Sequence, residues 1–298
     1  MAYQDMLARI SNDPGFIAAL DQSGGSTPGA LKQYGISEDA YSNDAEMFRL
    51  MHEMRVRIMT SNAFAQRKII GAILFEATMD GQAQGKSVPA FLWEDRKVVP
   101  FLKVDKGLTD AADGVRLMKP IPGLDALLAR AKKLGVFGTK MRSVIESNSP
   151  SGIAAIVKQQ FEYGETINAA GLMPILEPEV SIKAADKAGA ESTLRAEIQK
   201  GLDALPAHRQ VMLKLTIPDV PDFYKPLIDH PRVARVVALS GGYTRTDACK
   251  RLAKDHGMIA SFSRALINDL KLQMSDSEFD ASLAEAIDEI YTASTQKA

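Results

Sequence analysis

Val211-Met212-Leu213-Lys214-Leu215-Thr216-Ile217, closed by Pro218, is the stretch on which the reading of the fold turns. Aliphatic and β-branched residues surround a single lysine and stop at a strand breaker, so the run reads as a short buried strand. An ammonium in such a place is costly unless it is paired or gives up its proton. Two readings of Lys214 follow. It is either a strand-end lysine that snorkels to water, or a nucleophile activated by burial and by neighbouring cations.

Seven other apolar runs share this character, at residues 16–20, 70–75, 98–104, 136–142, 172–176, 233–239 and 258–262. Helical patterns separate most of them. Leu124, Leu127, Leu128, Ala131 and Leu134 share one helix face, and Gly135 closes that helix as a C′ glycine. Further helices are expected over 1–10, over 37–68 with caps at Ser37 or Ser42, and over 151–170. The remaining ones fall at 181–204 as a solvated segment, 221–229, 244–256, and from an N-cap at Ser277 to residue 293. Residues 22–29 read as a Gly- and Ser-rich loop, and 294–298 as a loose polar tail.

Near-continuous hydrophobic strands suit a parallel sheet covered on both faces. Eight βα units in 298 residues therefore predict an α/β fold, a single (β/α)8 TIM barrel domain with a short N-terminal helix. A doubly wound sheet is the alternative, but the turn after the first strand lacks the dinucleotide GxGxxG pattern.

A net charge of −1 provides no electrostatic footprint for nucleic acid or an anionic membrane. No window approaches the length of a membrane span, and residues 1–10 lack the pattern of a secretory signal, so a cytoplasmic protein is expected. One cysteine, Cys249, excludes an internal disulfide and is expected to be an inert thiol on a surface helix. The four histidines show no metal-ligand spacing, so no metal site is expected.

In such a barrel the chemistry collects at the C-terminal ends of the strands. Those ends carry Asp21, Glu76, Lys103, Lys140 with Arg142, Glu177 with Glu179, Lys214, Ser240 and Arg264. Any one of them, Glu76 or Glu179 for instance, could simply face water or pair with a lysine. Lys140 and Lys214, two strands apart, are expected to approach across the mouth, each disfavouring the charged form of the other. Asp21 and Glu177 supply carboxylates for proton transfer around the same point. Separately, Ser240-Gly241-Gly242 precedes a helix and can turn backbone N–H groups toward an anion, with Arg264 one strand later.

Taken in order, Ala18-Ala19-Leu20-Asp21-Gln22-Ser23, Ile73-Leu74-Phe75-Glu76, Leu102-Lys103-Val104-Asp105-Lys106-Gly107 and Lys140-Met141-Arg142 resemble the class I fructose-bisphosphate aldolase family. Pro174-Ile175-Leu176-Glu177-Pro178-Glu179, Leu239-Ser240-Gly241-Gly242 and Phe262-Ser263-Arg264-Ala265-Leu266 extend the resemblance along essentially the whole chain. It implies that Lys214 forms an imine with C2 of the ketose, that Glu177 shuttles protons with help from Glu179, and that Asp21 accepts the C4 hydroxyl proton. Lys140 would hold developing negative charge. Ser240, Gly241, Gly242 and Arg264 would hold the C1 phosphate, with Lys103, Arg142 and Ser26 nearby, the last two toward the other phosphate. The implied ligands are small sugar phosphates, with no cofactor and no metal. The short termini look like the bacterial branch, whose oligomeric state varies, so a homo-oligomer remains open. Two departures stand out: Met141 replaces a tryptophan of the animal enzymes, and the chain ends Gln296-Lys297-Ala298 where those enzymes end in a tyrosine. The group that reprotonates the enamine is thus left open. Other imine-forming barrels, such as transaldolases, share a sixth-strand lysine, and a barrel that binds sugar phosphates without turnover is a further alternative.

Overall fold

The computed structural model describes residues 2–23, 27–65 and 67–298. Eight strands form its centre: β1 (Phe16–Leu20), β2 (Ile69–Leu74), β3 (Val99–Lys103), β4 (Gly138–Ile145), β5 (Met173–Val180), β6 (Val211–Thr216), β7 (Val233–Leu239) and β8 (Met258–Phe262). Each pairs in parallel with the next, and β8 pairs back onto β1, so the sheet closes. This is the expected (β/α)8 barrel. The eight longer helices are α1 (Ala2–Asn12), α2 (Thr27–Tyr34), α3 (Asp44–Thr60), α4 (Leu124–Lys133), α5 (Pro150–Ala169), α6 (Lys187–Ala204), α7 (Arg245–Leu252) and α8 (Asp276–Thr295).

Two cores result from the alternation of side chains along each strand. One set, with Ala18, Leu102, Leu176, Leu213 and Ala260, packs outward against the helices. The other, with Ile17, Phe101, Ile175, Met212, Val237 and Ile259, fills the barrel. Met6 and Ile10 of α1 join this inner cluster and stopper the N-terminal end. Arg235 of β7 holds that stopper, donating to the Ser11 and Asp13 carbonyls at 2.7 and 2.8 Å. Two residues further up the same inward rows, the apolar filling turns into charge.

Several local expectations need correction. The pattern over 37–68 breaks into a 3-10 turn at Glu38–Ala40, α3, and a second turn at Ala63–Ala65. Asn43 caps α3, while Ser42 donates instead to Glu46. Helix α2 begins inside the expected loop, and α8 starts from Ser275, not Ser277, because Ser275 and Glu278 form a reciprocal capping box. Helix α6 is not simply solvated: Lys187 and Glu191 are buried as an ion pair, with Ala190, Leu194 and Ile198 beside them. The tail is not loose either. Lys297 donates to the Leu252, Met258 and Ala293 carbonyls, and the Ala298 N–H donates to Ala253. Cys249 sits on the inner side of α7, whose outer face is exposed, and burial, with Glu289 adding to it, pushes its thiol up to about 12, as an inert thiol requires.

Gly138, the first residue of β4, leaves room for the Phe101 ring in the barrel. A Cβ there would lie 2.2 Å from the Met173 carbonyl oxygen and 2.9 Å from the ring. Neither a strand backbone nor a ring packed among eight strands can give way cheaply. Gly138→Ala is expected to lower stability by about 3 kcal/mol in urea melts, as an overpacked core does.

Candidate active site

The inward rows of the strands end in a mouth cavity of about 380 Å³. Asp21 follows β1, Lys103 ends β3, Lys140 and Arg142 lie on β4, Glu177 and Glu179 on β5, and Lys214 on β6. Asp21, Lys103, Glu177, Glu179 and Lys214 each lie an even number of residues beyond an inner-core residue of the same strand, for example Met212 before Lys214 and Ile175 before Glu177. Lys140 and Arg142 lie two and four residues beyond Gly138, which faces the inner Phe101 ring. Strand alternation alone therefore aims them at one space. Ser240, Gly241 and Arg264 line the same cavity, as do Gln22, Ser23, Ser261 and Ser263, which the sequence reading did not select.

Four of these groups form a buried chain of alternating charge. Lys140 Nζ lies 2.6 Å from Asp21 Oδ2 and 2.9 Å from Glu177 Oε2. The other oxygen, Glu177 Oε1, lies 3.0 Å from Lys214 Nζ. The expectation of two lysines confronting each other thus needs correction: β5 sits between β4 and β6, and its Glu177 stands between the two ammonium groups. Glu177 Oε2 has no aligned hydrogen-bond donor among the described residues, despite its ion contact with Lys140.

Electrostatics follow from this chain. Burial opposes the charge on Asp21, yet the ammonium groups of Lys140 and Lys214 together hold its carboxyl well below the usual range. Burial likewise opposes the charge on Lys140, but the carboxylates of Asp21, Glu177 and Asp105 hold its ammonium pKa above the ordinary value.

The remaining cations differ in what they are free to do. Lys103 donates to Asp105 Oδ1 at 2.6 Å and to its carbonyl at 2.9 Å, so its charge is already matched. Arg142 Nε lies 2.5 Å from Glu179 Oε2, so Glu179 is paired with Arg142. Arg264 has no ion pair with any described residue. It approaches the Ser240–Gly242 turn, where a Cβ on Gly242 would lie 3.8 Å from Arg264 Nη2. Gly241 adopts φ +60, and a Cβ there would meet Ile182 at 2.8 Å, so glycine is required at this bend. Gly242 itself sits behind the cavity lining, against Arg264. Ser26 lies outside the described residues. Glu76 is turned away from the cavity and pairs with Lys106 and Arg130.

A closed barrel with buried lysines and carboxylates at its mouth, beside an unpaired guanidinium and a glycine turn, is the arrangement of an enzyme acting on a small anionic substrate. The comparisons specify the enzyme. The family model for class I fructose-bisphosphate aldolase matches residues 6–207. The class 1 fructose-bisphosphate aldolase of Synechocystis sp. is 54% identical over 291 residues, spanning 98% of this chain and 97% of that one. A solved structure of fructose-bisphosphate aldolase from Plasmodium falciparum, in complex with TRAP and a small molecule inhibitor, superposes with a TM-score of 0.74. It covers 100% of this chain and 96% of its own at 18% identity, and so supports the fold. The chain belongs to the class I fructose-bisphosphate aldolase family. These enzymes are metal-independent carbon–carbon lyases of glycolysis, and their Schiff-base mechanism is typical of class I. Among the described residues no group of three or more His, Cys, Asp and Glu side chains is placed to hold a metal ion, and no helix is long and apolar enough to cross a membrane.

The pairing of Asp21 with Lys140 implies a definite pH window. The Asp21 pKa is lowered on folding, so its contribution is full above the unfolded value of about 4 and fades as pH falls through the folded value. The Lys140 pKa is raised, so its contribution is full below about 10 and fades only as pH rises through the folded value. Asp21→Asn is expected to cost about 3 kcal/mol at pH 7, as loss of one partner of a buried pair does. In denaturant melts that difference should shrink progressively below pH 4.

Proposed function

We propose that this chain, acting as one barrel domain on cytoplasmic sugar phosphates, cleaves fructose 1,6-bisphosphate through an imine on Lys214. The observation that carries the reading is the 3.0 Å contact between Lys214 Nζ and Glu177 Oε1 inside the mouth cavity. A buried amine with a carboxylate at hydrogen-bond distance can lose a proton directly to it and attack a carbonyl.

The steps then use the groups in turn. Lys214 adds to C2 of the open-chain ketose, and Glu177 accepts the ammonium proton. Glu177 returns a proton to the C2 hydroxyl of the carbinolamine, and water leaves to give the iminium. Asp21 accepts the C4 hydroxyl proton as the C3–C4 bond breaks. The electron pair of that bond moves into the iminium, forming an enamine of dihydroxyacetone phosphate and releasing glyceraldehyde 3-phosphate. Protonation of the enamine at C3 and hydrolysis of the resulting imine release dihydroxyacetone phosphate and regenerate Lys214.

Asp21 is a weak base at rest, because Lys140 and Lys214 hold its pKa low. Its task becomes favourable only as C3–C4 cleavage makes the C4 hydroxyl strongly acidic. Lys140, 2.6 Å from Asp21, stabilises the negative charge that develops on the C4 oxygen as its proton passes to Asp21. Arg264 and the Ser240-Gly241-Gly242 turn hold the C1 phosphate, with the unpaired guanidinium as the main anchor. Arg142, oriented by Glu179, acts as a secondary contact toward the other phosphate, and Lys103, already matched by Asp105, lies nearby. Ser26 is assigned to the same end on the sequence resemblance alone.

Borohydride reduction with dihydroxyacetone phosphate, followed by peptide mass mapping, tests the reading. A stable adduct is expected on Lys214, unaffected by EDTA. An adduct on Lys103 or Lys140 instead, or none, contradicts it. Lys214→Met should lose turnover by at least about 10⁴-fold, because a covalent step has no substitute nucleophile. Sugar-phosphate binding should survive in that variant.

A further inference from the structure

Helix α3 presents a stripe of buried methionines, Met47, Met51 and Met54, with Ile58 one turn on, and Arg55 stands among them. Its side chain is 1% exposed, and it makes no ion pair with any described residue. What it does instead is hold one turn of chain. Arg55 Nη2 donates to the main-chain carbonyl of Gln22 at 2.6 Å and approaches Gln22 Oε1 at 3.3 Å. Nη1 donates to Thr78 Oγ1 at 2.8 Å, and the guanidinium lies 5.7 Å from the centroid of the Phe75 ring.

A cation buried without a carboxylate is unfavourable, and a methionine like its neighbours would pack there without that cost. Burial moves the Arg55 pKa down to about 9, with the negative charge of Asp21 acting against it. Gln22 directly follows Asp21. Its amide donates onward to Ser263 Oγ at 2.6 Å and to the Ala19 carbonyl at 3.3 Å. Ser263 in turn immediately precedes Arg264. Arg55 thus stands behind the chain segment that carries Asp21, and Gln22 connects that segment to the one carrying Arg264.

We propose that Arg55 is a positioning residue for the carbon–carbon cleavage step: from outside the barrel it clamps the Asp21-Gln22 turn and so sets the aim of the Asp21 carboxylate. The link through Gln22 to Ser263 keeps that aim in register with the Arg264 end of the substrate. Arg55 touches no substrate; it acts through Asp21. The inference rests on Asp21 as the proton acceptor in cleavage.

The test compares two reactions of the full chain. One is steady-state cleavage of fructose 1,6-bisphosphate. The other is borohydride trapping of dihydroxyacetone phosphate on Lys214, which requires no C4 proton transfer. Arg55→Met keeps the bulk and removes the fork of donors. Its kcat for cleavage is expected to fall about 100-fold, the scale of a misplaced reacting group. KM and the extent of trapping are expected to stay within about threefold, since substrate binding and imine formation are untouched. Arg55→Lys, which keeps the charge without the fork, should fall between the two. If Arg55→Met does not fold by circular dichroism, Thr78→Val, which removes the Nη1 acceptor, should show the same split at about 10-fold.

Full cleavage activity in the folded Arg55→Met variant, or parallel loss of cleavage and trapping, overturns the inference. Asp21→Asn separates this from the reading beneath it. If Asp21→Asn still cleaves, the role of Asp21 fails. If Asp21→Asn loses cleavage while Arg55→Met retains it, only the positioning by Arg55 fails.

Discussion

Glu177 contacts two lysines with its two oxygens, 2.9 Å from Lys140 and 3.0 Å from Lys214, and the organisation of the barrel mouth depends on that sharing. With Asp21 on the far side of Lys140, the cluster holds two carboxylates and two amines, all nearly out of contact with water. Unpaired, any one of these charges would be strongly unfavourable at that depth. Arranged in alternation, each lies beside an opposite charge, and the groups proposed as nucleophile, proton carrier and base fit in one small space. The same alternation supports the proposed proton path, because Lys214 and Glu177 are already in contact.

The barrel contributes geometry rather than chemistry. Inward side chains alternate along each strand, so a position two residues above the apolar filling necessarily faces the mouth. Phe101, Ile175 and Met212 form the floor, and Lys103, Glu177 and Lys214 stand directly above them on the same strands. Gly138 admits the Phe101 ring that completes this floor. The stopper at the other end, α1, seals the filling from below. With the floor close-packed, the charged groups have little freedom to move away from one another.

The eight strands and their mouth residues were legible because they follow from local pattern. Apolar runs of five to seven residues announce parallel strands, and the polar residue ending each run announces its open end. The pairing of charges was not legible in the same way. That Lys140 and Lys214 share Glu177, or that Glu179 is taken by Arg142, depends on which strand lies between which, and single-strand patterns carry no such information. Capping shifts by one or two positions, as from Ser277 to Ser275, because reciprocal bonding with Glu278 decides it. Lys297 looked like part of a solvated tail, since nothing local reveals the three carbonyls waiting for it across the fold. Arg55 left a trace, a lone cation in a methionine stripe, which only the position of Gln22 explains.

The central claim is that Glu177 carries the proton that Lys214 must lose and that the departing C2 hydroxyl must gain. The rate of imine formation in Glu177→Gln, followed by rapid-quench borohydride trapping with dihydroxyacetone phosphate, tests it most directly. The side chain keeps its size and one acceptor oxygen but loses its basicity, so the account predicts a fall in that rate of about 100-fold or more, the range of general acid–base catalysis. The affinity for dihydroxyacetone phosphate should be largely preserved. An imine forming in Glu177→Gln at the rate of the unaltered chain would contradict the account.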